Sequence, residues 1–198
     1  MSAITRKTFQ ELISKNEYIK KCSSNKERDV NSLSYLINRD MSQSECIKLG
    51  LGVESLLQDL VIGYGNLMNI KPKNKKGVKE RDHLFKDEAK KIIYYAELKA
   101  NINLDTEKCK STYLKCLHIA GELQEKYPEY EIKWCLLGYR YTDFTKIPTN
   151  IQNKYSSIKE NVFGINQYLH MLGIDLTFDE DYYKIILNDI ADGMFNNS

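Results

Sequence analysis

The sequence predicts an α/β fold, a mixed central β-sheet with helices packed on it. Three observations predict it. Apolar residues recur at helical spacing through much of the first third of the chain. Two short runs rich in β-branched and aromatic residues then follow each other closely enough to form a hairpin. A capped helical pattern and a third strand-like run come next, the order expected of a layered α/β domain.

The elements follow in order along the chain. Residues 7–21 carry Phe9, Leu12 and Ile13 at helical spacing, and residues 29–39 carry Val30, Leu33, Leu36 and Ile37. Ser42 or Ser44 can cap a longer helix reaching about Met68, with an apolar stripe of Ile47, Leu51, Leu57, Leu60 and Val61. Glu54 falls on that stripe, an unusual place for a carboxylate. Lys71 to Lys79 is a basic, turn-rich segment. Strand-like runs follow at Asp82 to Phe85 and at Ile92 to Lys99, joined by a polar link from Lys86 to Lys91. Asp105 caps a helix over about 106–126, and a third strand is expected from Ile132 to Tyr139. Beyond Pro148, helical stretches are expected over about 150–158, 162–172 and 179–194. The face formed by Phe163, Ile165, Tyr168, Leu169 and Leu172 needs a partner, either the core or a second copy of the chain.

Composition narrows the function classes. The length of 198 residues suits a single domain over 1–198, with a core over about 44–140 and a helical C-terminal part over about 148–198. A formal net charge of +2 excludes a bulk polycation, so any nucleic-acid contact must rest on local clusters. The five cysteines include no Cys-x-x-Cys pair, which argues for buried free thiols rather than a disulfide framework or a structural zinc site. His83, His118 and His170 are scattered without ligand spacing. Gly50 and Gly52 lack the Gly-Lys-Ser/Thr that completes a phosphate loop, so nucleotide-dependent phosphoryl transfer is not expected. The longest apolar stretch, near Leu56 to Ile62, contains Gln58 and Asp59 and is too short to span a bilayer. With no signal-like N-terminus, the expectation is a soluble cytoplasmic protein that does not engage membranes.

One cluster carries chemistry. Glu97 and Lys99 alternate onto one face of their strand, with Leu98 on the other. A turn centred between Ala89 and Lys90 pairs residues equidistant from it, which sets Asp82 opposite Glu97, with Cβ atoms about 5 Å apart. No Asn-Gly or Gly fixes that turn, and a slip of one residue would move Asp82 to the wrong face. Two adjacent carboxylates call for a neutralising cation, and Mg²⁺ suits their hard oxygens. Such an ion can acidify a water for attack on a phosphodiester, while a neighbouring lysine offsets the growing charge. The plainer alternative is a cross-strand salt bridge on a solvated face.

Asp82 followed after a short hairpin by Glu97-Leu98-Lys99 resembles the PD-(D/E)xK nuclease signature, over about residues 44–140. The run from Glu97 to Lys108 resembles the active-site stretch of small type II restriction endonucleases. The resemblance implies a restriction-endonuclease-like core and a homodimer that cuts double-stranded DNA at a short specific sequence with Mg²⁺. It implies Asp82 and Glu97 as metal ligands with the Leu98 carbonyl, and Lys99 as the water-orienting group. Glu54 becomes a candidate for the extra helical glutamate that some members use. Arg81 stands where the nominal proline would be, a departure at a position that varies widely in the superfamily. Candidate DNA contacts are Lys75, Lys76, Lys79 and Arg81 before the hairpin, and Asn101, Asn103, Lys108 and Lys110 after it. Arg140, past the third strand, is a candidate guanine reader. The asparagines can equally be turn and capping residues, and Arg140 an ion-pair partner. A structure-selective nuclease on the same core and a non-catalytic nucleic-acid-binding protein are the alternatives.

Overall fold

A computed structural model of the chain describes residues 5–21, 36–37, 39, 41–72, 81–155 and 159–195. The expected helix over 29–39 therefore lies almost wholly outside the described residues, as do Lys75, Lys76 and Lys79. The chain forms two compact units, Met1–Gly63 with Leu176–Ser198, and Tyr64–Asp175. The boundaries read from the sequence, near residues 44 and 148, fall inside these units.

The first unit is helical. Helix α1 (Arg6–Lys15) opens on a capping box from Thr5 and stops at Asn16, and α2 (Glu17–Lys21) follows at once. The sequence predicts one continuous helix here. Asn16 divides it because its side chain has better partners than a helix interior offers: Oδ1 accepts from the Ile19 amide at 3.0 Å, and Nδ2 donates to Asp59 at 2.7 Å and Ser55 at 3.0 Å. Helix α3 (Gln43–Tyr64) carries both of those partners. It is capped by Ser42, which exchanges hydrogen bonds with Glu45 in a Ser-x-x-Glu box.

The apolar stripe expected on α3 is out of phase. The buried face is Cys46, Leu49, Gly52, Val53, Leu56, Leu57, Leu60 and Val61, whereas Ile47 is 57% and Leu51 45% exposed. Gly52 explains the shift, since a residue without Cβ marks the face that a neighbour approaches closely, here Met194. Glu54 lies on the Ile47–Leu51 side and is half-buried, so it does not interrupt the packed face. The expected end near Met68 is also corrected. The helix stops at Tyr64, ahead of Gly65 and of Asn66 in the left-handed region at φ 51°. A helix spanning 180–195, close to the expected 179–194, completes the unit, with Gly193 admitting Ile13 and Ile19.

The second unit is built on a five-stranded mixed sheet in the order β1-β2-β3-β4-β5. The strands are β1 (Met68–Asn69), β2 (His83–Asp87), β3 (Ile92–Lys99), β4 (Glu131–Gly138) and β5 (Val162–Phe163). The first three are antiparallel neighbours, while β4 and β5 run parallel to β3. Helix α4 (Thr106–Lys126), capped by Asp105 through the Lys108 amide at 2.8 Å, returns the chain from β3 to β4. It buries Cys116, Ile119 and Leu123 against Leu84, Ile93 and Tyr95 of the sheet. Burying such side chains contributes about 1.5–3 kcal/mol each.

The hairpin register is the one the sequence predicts. His83 faces Ala96, Leu84 faces Tyr95 and Asp87 faces Ile92, all equidistant from the Ala89–Lys90 link. Two features replace the missing glycine: Asp87 Oδ1 accepts from the Lys90 amide at 2.9 Å, and Lys91 takes φ 55°.

Glu88 at the tip receives Lys86, Lys91 and the Tyr130 hydroxyl, which hold its carboxyl down at about 2 from an ordinary 4.5. A depressed carboxylate adds stability above its unfolded value and loses it as pH falls through the folded one. Glu88 is therefore expected to stay ionised through most of the acid range. A carbon-detected NMR titration reads this directly, and a Glu88 midpoint at the ordinary value would sink the prediction.

The C-terminal expectations need two corrections. Of the stretch 150–158, residues 156–158 lie outside the described residues, and the rest is a short helix α5 (Thr149–Gln152) followed by a 3₁₀ turn over Asn153–Tyr155. The stretch 162–172 begins as β5, which pairs Val162 and Phe163 with Leu136 and Leu137, before helix α6 (Ile165–Met171). The helix over 180–195 is α7 (Glu180–Phe195). Ile165, Tyr168, Leu169 and Leu172 are all 1% exposed or less, so they are core and not a dimer face. Cys46, Cys109, Cys116 and Cys135 are buried free thiols. No described helix is long and apolar enough to cross a membrane.

Candidate active site

Asp82 is the last residue before β2, one step beyond the backbone ladder. Its carboxylate continues that ladder, because Oδ2 accepts from the Leu98 amide of β3 at 2.7 Å. The continuing register sets Asp82 opposite Glu97, and Leu84, two residues on, shares its face with Tyr95 and α4. The one-residue slip that would have carried Asp82 to the other face does not occur.

Glu97 is the centre of the cluster. Its side chain is 2% exposed, yet both oxygens are partnered. Lys99 Nζ donates to Oε1 at 2.7 Å, Lys115 Nζ of α4 donates to Oε2 at 2.6 Å, and the Tyr95 hydroxyl donates to Oε2 at 3.2 Å. Burial pushes the Glu97 carboxyl up, but the hydrogen bonds from Lys115 and Lys99 outweigh it and hold the group below its usual range. Asp82 goes the other way. Burial first, then the Glu97 charge, raise its carboxyl, against the pull of the Leu98 amide and the two lysines. The pair is thus one carboxylate held ionised by its lysines beside one destabilised by burial and then by its neighbour.

The plain salt-bridge alternative is met in part, since Lys99 and Glu97 do form an ion pair. It differs in setting, because Glu97 is internal and not on a solvated face. The donor set of two carboxylates suits a hard divalent cation. Among the described residues no group of three or more His, Cys, Asp and Glu side chains is placed to hold a metal. The side chains here that could hold a cation are therefore limited to the Asp82–Glu97 pair.

Lys115 and Tyr95 were not singled out from the sequence. Lys115 could have been, because it adjoins Cys116 on the buried stripe of Cys109, Cys116, Ile119 and Leu123, at the edge of the face that α4 turns to the sheet. Cys116, beside Lys115 on the buried face of α4, is inert: burial and then the Glu97 charge push its thiol up to about 12.

The other candidates are dispersed. Glu54 belongs to the first unit and the hairpin cluster to the second. Arg81 is held by Glu122 of α4 at 3.0 Å. Asn101 Oδ1 accepts from the Asn103 amide at 2.8 Å, the contact of a turn, while Asn103 Oδ1 accepts from the distant Lys154 at 2.8 Å. Lys108 pairs with Asp105 at 3.2 Å while staying 71% exposed, and Lys110 is exposed. Arg140 is half-buried over the Tyr141 ring at 5.9 Å. Comparison with known protein families, with curated proteins and with solved structures finds no match.

Proposed function

We propose that this chain is a Mg²⁺-dependent endonuclease with a restriction-endonuclease-like core, cutting double-stranded DNA at a short specific sequence as a homodimer. The observation that carries the reading is the hairpin register. It joins a carboxylate from one strand edge, a buried carboxylate from the next strand and a lysine two residues on, in the order and spacing of the nuclease signature.

Asp82 and Glu97 are the side chains that would hold the ion, with the Leu98 carbonyl as the further ligand the signature implies. Bound there, a magnesium ion supplies Lewis acidity toward a phosphate oxygen and an acidified water. The Leu98 amide fixes the Asp82 carboxylate, so one acceptor is oriented before any ligand arrives. Lys99, on the strand and 36% exposed, presents an ammonium toward solvent beside the carboxylates, where it can orient the attacking water and offset charge on the phosphate. Arg81, Asn101, Asn103, Lys108, Lys110 and Arg140 remain the proposed DNA contacts.

Digestion of long unmethylated phage DNA with and without Mg²⁺ tests the reading. Discrete bands that require the ion are expected. A metal-dependent smear would remove the sequence-specific part in favour of a structure-selective or non-specific nuclease. No cleavage under any divalent ion would leave a binding protein.

A further inference from the structure

Each Glu97 oxygen has its own ammonium. Lys99 takes Oε1 at 2.7 Å and Lys115 takes Oε2 at 2.6 Å, with the Tyr95 hydroxyl also on Oε2. A carboxylate so placed is fully subscribed by donors that carry two positive charges. A divalent ion that binds Glu97 must compete with them. The two lysines are not equivalent as competitors. Lys99 stands two residues along the same strand on the same face as Glu97, and its ammonium is kept there for the attacking water on the reading above. Lys115 comes from α4 on a long flexible stem, and its side chain is 29% exposed. It can turn to solvent without any movement of backbone, at the modest cost that a partly exposed ammonium incurs.

We propose that Lys115 is the internal counter-ion of the carboxylate pair, neutralising Glu97 while no divalent ion is bound and surrendering Oε2 when one binds. The inference rests on the metal-dependent reading above. It makes Lys115 a positioning residue that acts through Glu97: it holds a buried carboxylate in place in the ion-free protein, and it sets how tightly the site takes its ion.

The position has two consequences. Without Lys115, the buried Glu97 keeps a single ammonium, so the ion-free protein is less stable. The same loss removes the competitor, so the ion binds more tightly. A residue that only braced the fold would change ion affinity in the opposite direction or leave it unchanged, because a loosened site binds worse.

The test is calorimetric titration of the full chain with Mn²⁺ and with Mg²⁺, using the parent, Lys115→Met, Lys115→Arg and Glu97→Gln. Lys115→Met is expected to bind the ion about tenfold more tightly than the parent, the size of effect one nearby unit charge exerts at partly screened range. Lys115→Arg, which restores the charge, should return to the parent value. Thermal melting in chelator should show Lys115→Met below the parent, with the larger rise on adding ion. If Lys115→Met fails to fold, Lys115→Gln, which keeps a hydrogen-bond donor without the charge, carries the same criterion. Ion affinity in the charge-removed variant equal to or weaker than the parent overturns the Lys115 proposal and leaves the metal site standing. Failure of the parent to bind either ion, or equal binding by parent and Glu97→Gln, overturns the metal reading itself.

Discussion

Asp82→Ala is expected to lower Mg²⁺-dependent cleavage of duplex DNA by about three orders of magnitude while the chain stays folded. Both halves of that expectation come from the position of the carboxylate. Asp82 is one of the two acids at the hairpin edge, its Oδ2 is oriented by the Leu98 amide, and among the described residues no third acid joins the pair to substitute for it. Its folding contribution has the opposite sign. Burial and the Glu97 charge raise the Asp82 carboxyl. A group raised in the folded state lends stability below its unfolded value and loses it as pH rises through the folded one. Above that folded value the Asp82 carboxyl lends the fold no stability, so its removal is expected to be tolerated. Deleting a negative charge that faces phosphate should also strengthen DNA binding in a gel shift. Lys99→Ala should lose cleavage to the same extent, but with a stability cost of about 1 kcal/mol. That is well below the cost of breaking a fully buried ion pair, because Lys115 remains on Glu97 and Lys99 is 36% exposed. Near-normal cutting by either variant at saturating Mg²⁺ would end the assignment of this hairpin as the active site.

The sequence made some features legible because one local signal decided them. The β-branched and aromatic run that ends in Glu97-Leu98-Lys99 marks β3 at its observed bounds, Ile92–Lys99. Asp105 marks the start of α4 through a side chain that has one good use there. The hairpin register followed from counting back from the turn, even though the turn itself is held by Asp87 and by Lys91 at positive φ rather than by glycine.

What stayed hidden depends on partners distant in sequence. Strands β1 and β5 are each two residues long, too short for alternation, and owe their extended form to the ladders they join. The phase of α3 is set by the close approach of Met194, more than a hundred residues away, to Gly52. The break at Asn16 is set by Asp59 and Ser55 on another helix. Lys115 belongs in the same group. It reaches Glu97 only because α4 folds back over the strand that precedes it, so a motif confined to the hairpin cannot include it. The three residues of the signature were readable and the electrostatic setting that tunes them was not.

Gly164→Ala is expected to destabilise the sheet unit by about 3 kcal/mol, the upper part of the usual range for overpacking. The position is not glycine for its dihedrals, since φ −84° and ψ 179° are open to any residue. It is glycine because another segment of backbone lies where a side chain would be. A Cβ there would stand 2.6 Å from Asp143 Cα and N and 2.7 Å from its carbonyl carbon. Neither segment can retreat freely. Ile165 donates to the Tyr141 carbonyl and Asn166 to that of Thr142, both at 2.9 Å, so a shift that relieves the clash stretches two backbone hydrogen bonds. Gln167 Oε1 ties the same two segments by accepting from Gly164 at 2.8 Å and from Phe144 at 3.0 Å. Gly52→Ala is the contrasting case. Its Cβ would meet Met194 Sδ at 2.8 Å, but that sulfur is the far end of a flexible side chain in a helical setting that rewards alanine. Its expected change is under about 1 kcal/mol. The single tryptophan, Trp134 on β4, lies in the same unit as Gly164, so urea unfolding followed by its fluorescence reports the first substitution. Circular dichroism of the helical signal reports the second. A Gly164→Ala chain whose Trp134 transition matches the parent's would mean that the approach of residues 141–144 to the start of α6 is not as tight as described. Equal losses at both glycines would mean that the hardness of the neighbouring atoms, backbone in one case and thioether in the other, does not set the cost.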